Sequence, residues 1–137
     1  MRSWSRKITG RADALRPLRL KKTKETSVGM ETDFEKIERY IRAHYRENIV
    51  IKDMARELYI SPAYLGLLFS REAGTSIKEY AHSIRMEQIV TGMVNEEKAI
   101  KDLAYEAGYN NYNNFFAWFE RFFGVSPEQF RKAIWIM

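Results

Sequence analysis

Ile51-Lys52-Asp53-Met54-Ala55 recurs in this chain as Ile100-Lys101-Asp102-Leu103-Ala104, at an offset of 49 residues. After one extra residue in the following turn the offset becomes 50, and Leu65, Phe69, Arg71, Gly74, Ser76 and Tyr80 meet Phe115, Phe119, Arg121, Gly124, Ser126 and Phe130. The chain therefore carries two copies of one short unit. In each copy a helix of about eight residues leads through a tight turn to a second helix opened by a capping residue, the layout of a helix-turn-helix. The small Ala55 and Ala104 let the second helices cross closely. Such a unit presents the outer face of its second helix, and a helix of that width fits the major groove of DNA. One unit alone is a weak signal, because the same geometry serves proteins that bind no DNA. Two in tandem say more.

Outward from the repeat the chain reads as helix throughout. Thr32 or Asp33 can cap a helix with Phe34, Ile37, Tyr40, Ile41 and Tyr45 on one face. Ile51, Met54, Ala55 and Leu58 follow at helical spacing. Ser61-Pro62 marks a helix start, because the Ser oxygen accepts an orphan amide and Pro at the first position has no amide to leave unpaired. That helix turns Leu65, Leu68 and Phe69 inward and stops near Gly74. Ser76 begins a longer one with Ile77, Tyr80, Ala81, Ile84, Ile89, Val90 and Met93 inward, ending near Asn95. Gly92 inside it costs about 1 kcal/mol relative to Ala, so its last turn is expected to be weakly determined. Ile100, Leu103, Ala104 and Ala107 make a short helix closed at Gly108. Phe115, Trp118, Phe119, Phe122 and Phe123 load another, stopped at Gly124, and Phe116 falls on its outer face. Ser126-Pro127 opens the last, with Phe130, Ile134 and Trp135 packing back. No segment reads as a strand, so the expected fold is all-α with about seven helices, homeodomain-like, its two units joined by a linker helix over 77–94 that spans roughly 27 Å. That length could hold two second helices near the ~34 Å spacing of successive major grooves, so that one chain reads a tandem site as a monomer.

Composition narrows the function classes. In 137 residues, 45% apolar and 30% charged, there is room for one compact domain or two very small ones, and none for a large multidomain enzyme. The absence of Cys excludes disulfide frameworks, thiolate metal sites and cysteine nucleophiles together. His44 and His82 are isolated from any carboxylate cluster at ligand spacing, so no metal and no cofactor is expected. No Gly-rich phosphate loop, Ser/His/Asp set or paired-carboxylate site stands out, and catalysis is not expected. The formal charge of +5 sits in the N-terminus: residues 1–30 hold nine Lys and Arg against two acidic residues, whereas residues 31–137 hold 14 against 16. Residues 1–30 read as a flexible basic arm or linker remnant. Their composition also resembles an organellar transit peptide, without the amphipathic face that would support it, and Met30 is a possible alternative start. No stretch approaches the roughly 18 apolar residues of a membrane span, and the expected location is the cytoplasm.

The motifs resemble the DNA-binding domain of the AraC/XylS family of bacterial transcription regulators, over about residues 33–133. The first stands as Ile60-Ser61-Pro62-Ala63-Tyr64-Leu65, then Leu68-Phe69 and Gly74. The second, more specific one is Ile100-Lys101-Asp102-Leu103-Ala104, then Gly108-Tyr109, Phe115, Phe119, Gly124-Val125-Ser126-Pro127 and Phe130-Arg131. The resemblance implies a domain over 31–137, with a first unit at about 33–74 and a second at about 98–135. It also implies sequence-specific binding to double-stranded promoter DNA, activation through RNA polymerase, and a place on the bacterial nucleoid. A sensing domain accompanies this one in many members, so the chain is similar to a short stand-alone form or to the C-terminal piece of a longer regulator.

Carried over residue by residue, contacts to bases and phosphates in the first unit fall on Ala63, Tyr64, Gly66, Leu67, Ser70 and Arg71, behind the capping Ser61. In the second they fall on Tyr112, Asn113, Phe116, Ala117, Glu120 and Arg121, behind Asn111. Helical spacing places most of the first set opposite Leu65, Leu68 and Phe69. Asn bonds adenine bidentately in the major groove, so Asn113 is the leading base reader. The departures from the family pattern are Leu67 and Ala117 where a basic residue usually faces a base, and Ser70 and Glu120 where Lys usually faces phosphate. Every phosphate left without a cation lowers the salt slope by about 0.9 unit, so the folded part is expected to bind weakly. Leu67 and Ala117 can still meet a thymine methyl. The alternative reading is a degenerate family member that serves as a protein-interaction module. Arg131 is read as pairing with a phosphate or an acidic neighbour.

Overall fold

Thr32, Ser61, Ser76, Asn111 and Ser126 each stand one residue before a helix in the computed structural model, which describes residues 30–136. The first four side chains accept hydrogen bonds from the backbone amides of Glu35, Tyr64, Glu79 and Asn114, and Ser126 accepts from Gln129. Thr32 and Ser126 are reciprocated, since Glu35 and Gln129 reach back to their amides. Each such cap contributes about 1 kcal/mol and fixes where its helix starts. The helices are α1 (Asp33–His44), α2 (Ile51–Leu58), α3 (Pro62–Ala73), α4 (Ile77–Asn95), α5 (Ile100–Glu106), α6 (Tyr112–Phe123) and α7 (Pro127–Ile136). These seven are the regular elements among the described residues, with no strand, as the periodicity predicts. The basic-arm and transit-peptide readings concern residues 1–30, of which 1–29 lie outside the described residues.

Two apolar cores form, and α4 belongs to both. Phe34, Ile37 and Ile41 of α1, Met54 and Ala55 of α2, Leu65, Leu68 and Phe69 of α3 and Ile77, Tyr80 and Ile84 of α4 make the first. Met86, Ile89 and Met93 of α4, Leu103 and Ala104 of α5, Phe115, Phe119, Phe122 and Phe123 of α6 and Phe130 of α7 make the second. Aromatic contacts bind each one. Phe69 stacks on Phe34 and tilts against Tyr80, both at 5.4 Å, while Phe119 meets Phe115, Phe123 and Phe130 at 5.7, 4.6 and 5.4 Å. Beside the first core, Tyr80 donates to Glu38 and accepts from Arg42, both at 2.9 Å, which ties α1 to α4 by a polar link as well.

Two expectations are corrected. Trp135 in α7 is 59% exposed and lies beneath the Arg131 guanidinium rather than in the core. Gly92 does not mark a weak turn. It is buried, and a Cβ there would lie 2.5 Å from Leu103 Cδ2, so the missing side chain is what lets α5 approach α4.

The two turns solve one problem with different residues. Tyr59 ends α2 in the left-handed region at φ 57° and ψ 42°, and Gly108, its counterpart in the repeat, has φ 113°. Left-handed geometry costs an L-residue about 1–2 kcal/mol, and Tyr59, 95% exposed, recovers nothing by packing. At Gly108 a Cβ would lie 2.6 Å from the Arg46 carbonyl oxygen, so no side chain fits. Tyr59→Gly is therefore expected to raise stability by about 0.5–1 kcal/mol, the relieved strain less the added freedom of the unfolded chain. Gly108→Ala is expected to lower it by more than about 2 kcal/mol. Urea unfolding midpoints of the two variants check both signs.

Candidate nucleic-acid interface

The apolar side of α3 is spent on the first core, and what remains outward is the set that the family resemblance implies. Ala63, Tyr64, Leu67, Ser70 and Arg71 are exposed and Gly66 is half-buried. Ser61 is occupied in capping, at 3.3 Å from the Tyr64 amide. Leu67 is 62% exposed, the face opposite Leu65, Leu68 and Phe69. Arg71 has no hydrogen-bond or ion-pair partner among the described residues and is free to meet an anion. A Cβ at Gly66 would touch nothing within 4 Å, so no neighbour in the fold requires glycine there, although it weakens a helix interior by about 0.5–1 kcal/mol.

On α6 the corresponding face mixes polar and apolar residues and is partly engaged. Asn113, Ala117 and Glu120 are exposed, and Asn113 and Glu120 have no partner among the described residues. Phe116 is half-buried, 6.4 Å from the Tyr112 ring. Asn111 caps the helix at 3.0 Å from the Asn114 amide. Tyr112 donates its phenol to Glu128 at 2.8 Å, and burial together with that carboxylate pushes its pKa up to about 12. Arg121 donates to Glu79 of α4 at 2.9 Å and lies 4.9 Å from the Trp118 ring. Part of its charge is thus committed within the protein. The Arg131 guanidinium donates to the backbone carbonyls of Lys98 and Glu96 rather than to an acidic side chain. The structure places each predicted set along one helix.

The sequence did not signal the junction that seats α6. His82 of α4 stacks on Trp118 of α6 with ring centroids 3.7 Å apart and 13° between planes, and its Nδ1 lies 2.5 Å from the Tyr109 hydroxyl. Arg85 covers Tyr109 at 4.7 Å and donates to the Tyr45 and Glu47 carbonyls, so it joins the end of α1 to the second unit. Burial, followed by the positive charges of Arg85, Lys78 and Arg121, pushes His82 down from 6.5 to about 4. Burial likewise holds the proton on Tyr109. A neutral imidazole accepting from a protonated phenol satisfies both. Among the described residues no group of three or more His, Asp or Glu could hold a metal ion, and no helix is long and apolar enough to cross a membrane.

Comparison with known proteins supports the same assignment. A family model described as a helix-turn-helix domain matches residues 54–133. The Msm operon regulatory protein of Streptococcus mutans is 27% identical over 110 residues, covering 80% of this chain and 40% of that protein. The melibiose operon regulatory protein of Escherichia coli is 27% identical over 93 residues, covering 68% and 31%. The chain thus spans well under half the length of these curated relatives. The solved C-terminal domain of AraT, a response regulator from Geobacillus stearothermophilus, superposes with a TM-score of 0.70 at 28% identity, over 75% of this chain and 86% of that one.

Because His82 is neutral when folded, its linkage has a definite sign. Between about pH 4 and 6.5 the unfolded chain binds more protons there than the folded one, so this contribution is complete above pH 6.5 and is lost as the pH falls toward 4. The melting temperature is expected to fall over that window, and less steeply in His82→Gln. Parallel slopes for the two proteins would remove His82 from the account.

Proposed function

As the chain belongs to the AraC/XylS family of helix-turn-helix transcription regulators, we propose that it binds promoter DNA as a monomer with α3 and α6 in adjacent major grooves. The observation that carries this reading is the pair of exposed faces, Ala63 to Arg71 and Asn113 to Arg121, repeated on second helices that one continuous α4 joins. Its 19 residues span about 28 Å, compatible with grooves ~34 Å apart. The proposed units are residues 33–74 and 98–135, with α4 as the spacer. Asn113 reads adenine, Tyr64 and Arg71 hold phosphate beside α3, and Glu120 repels phosphate beside α6. Recruitment of RNA polymerase and action in the bacterial cytoplasm complete the proposal. The names of the operon regulators it resembles support the regulatory role.

Selection from a random duplex library at two salt concentrations, with the whole chain and with the chain from Met30, tests the reading. Enrichment of a site with two elements about one helical turn apart supports it. Salt-sensitive retention of every sequence alike, by the whole chain only, favours the protein-interaction alternative. Two variants then address single residues. Glu120→Lys is expected to tighten binding and steepen its salt dependence by about 0.9 unit of slope. Asn113→Ala is expected to relax preference at one base pair by about 1–3 kcal/mol, read from competition against all four pairs at that position.

A further inference from the structure

We propose that the two second helices read DNA by different chemistry: α3 recognises thymine methyl groups through Ala63 and Leu67, so that its half of the site is fixed by A·T pairs, whereas α6 reads by hydrogen bonds. The inference rests on the DNA-binding reading above and adds the base class. Along the centre of α3's outer face, at positions i, i+3, i+4 and i+7, stand Ala63, Gly66, Leu67 and Ser70. No side-chain donor or acceptor occurs in that stripe before its third turn. The equivalent stripe of α6 carries Asn113, Phe116, Ala117 and Glu120, with an amide and a carboxylate at its two ends.

The physics of the major groove gives the apolar stripe one partner. Thymine alone among the bases presents a methyl group there, and G·C pairs present only donors and acceptors. Hydrocarbon laid against those polar atoms strips their water and offers no hydrogen bond in return, so Leu67 both favours thymine and penalises G·C. Leu67 is 62% exposed in the free protein, so its apolar surface is still available for burial. Gly66 is the second observation. Gly92 is explained by Leu103 filling its place, but nothing stands within 4 Å of a Cβ at Gly66, and the space it leaves opens outward beside Leu67. That space admits the thymine edge close to the helix backbone. Tyr64 and Arg71 flank the stripe at i and i+7 relative to one another, where a phenol and an unpartnered guanidinium suit the phosphates on the groove wall.

The test replaces thymine by deoxyuridine, which removes the methyl and leaves every hydrogen-bonding atom in place. Duplexes carrying the selected site are titrated against the whole chain by fluorescence anisotropy, with thymine positions changed one at a time. Uracil at one or two positions is expected to weaken binding about fourfold each, the worth of one buried methyl-sized group. In Leu67→Ala the uracil effect is expected to shrink at the thymine that Leu67 meets and to persist at the one that Ala63 meets, with an unchanged melting temperature because Leu67 packs outside the core. Gly66→Ala separates a structural glycine from a functional one: it is expected to raise the melting temperature and to weaken binding several-fold. A selected site whose affinity ignores the methyls, or methyl effects that Leu67→Ala leaves unchanged at every position, overturns this inference and leaves the two-helix reading intact. A library that enriches no sequence overturns both.

Discussion

The structure depends on one helix being apolar on two sides. Ile77, Tyr80 and Ile84 serve the first core and Met86, Ile89 and Met93 the second. At 3.6 residues per turn these triplets lie on roughly opposite faces of α4. Each unit is therefore built against its own side of a shared strut, and neither could be removed without exposing a row of large apolar side chains. The burial of a Leu, Ile, Phe or Met side chain is worth about 1.5–3 kcal/mol, so three such residues per face outweigh any single cap or ion pair in the protein.

The repeat explains why α4 has this form. Ser76 and Glu79 open α4 as Ser126 and Gln129 open α7, so the first half of α4 is the closing helix of the first unit. Its second half buries Met86, Ile89 and Met93 at the spacing by which α1 buries Phe34, Ile37 and Ile41, so it is also the opening helix of the second unit. Fusing the last helix of one copy to the first of the next removes a loop and with it the freedom of one unit to turn against the other. The polar contacts reinforce this. Glu79 and His82, both on the first half of α4, hold Arg121 and Trp118 of α6 across the junction, while Arg85 ties the end of α1 to Tyr109.

The helices and their inner faces were legible because they follow from local chemistry. Caps at Thr32, Ser61, Ser76, Asn111 and Ser126 and stops at Gly74 and Gly124 are read from adjacent residues, and the core positions from period. What was hidden depends on residues far apart in sequence. Glu79 and Arg121 are separated by 42 positions, and His82 and Tyr109 by 27, with nothing at either member to announce the other. Gly92 looks like a defect until Leu103 is placed against it, and Trp135 fits the apolar period yet lies past the rim of its core. The outward faces of α3 and α6 were legible as faces, since helical spacing alone separates them from the core. Which of their charges stay free was not.

The pairing of those charges governs how the proposed interface divides its labour. Of the two arginines matched by the repeat, Arg71 is unpartnered among the described residues and Arg121 is drawn to Glu79. Exposed ion pairs are weak, so Arg121 can exchange Glu79 for a phosphate, but the exchange yields less than a free cation would. Residues 31–137 carry 14 basic and 16 acidic side chains, and Glu120 stands on one of the two reading faces. The sequence-independent attraction that most DNA-binding proteins draw from clustered cations is therefore small in this part of the chain. Under the proposed reading, discrimination rests on short-range complementarity, with apolar contacts on α3 and hydrogen bonds on α6. Within this sequence the charge suited to a long-range electrostatic pull is that of the nine basic residues that precede Glu31. A reader built this way discriminates well relative to its affinity, because it forgoes the term that every DNA sequence supplies equally.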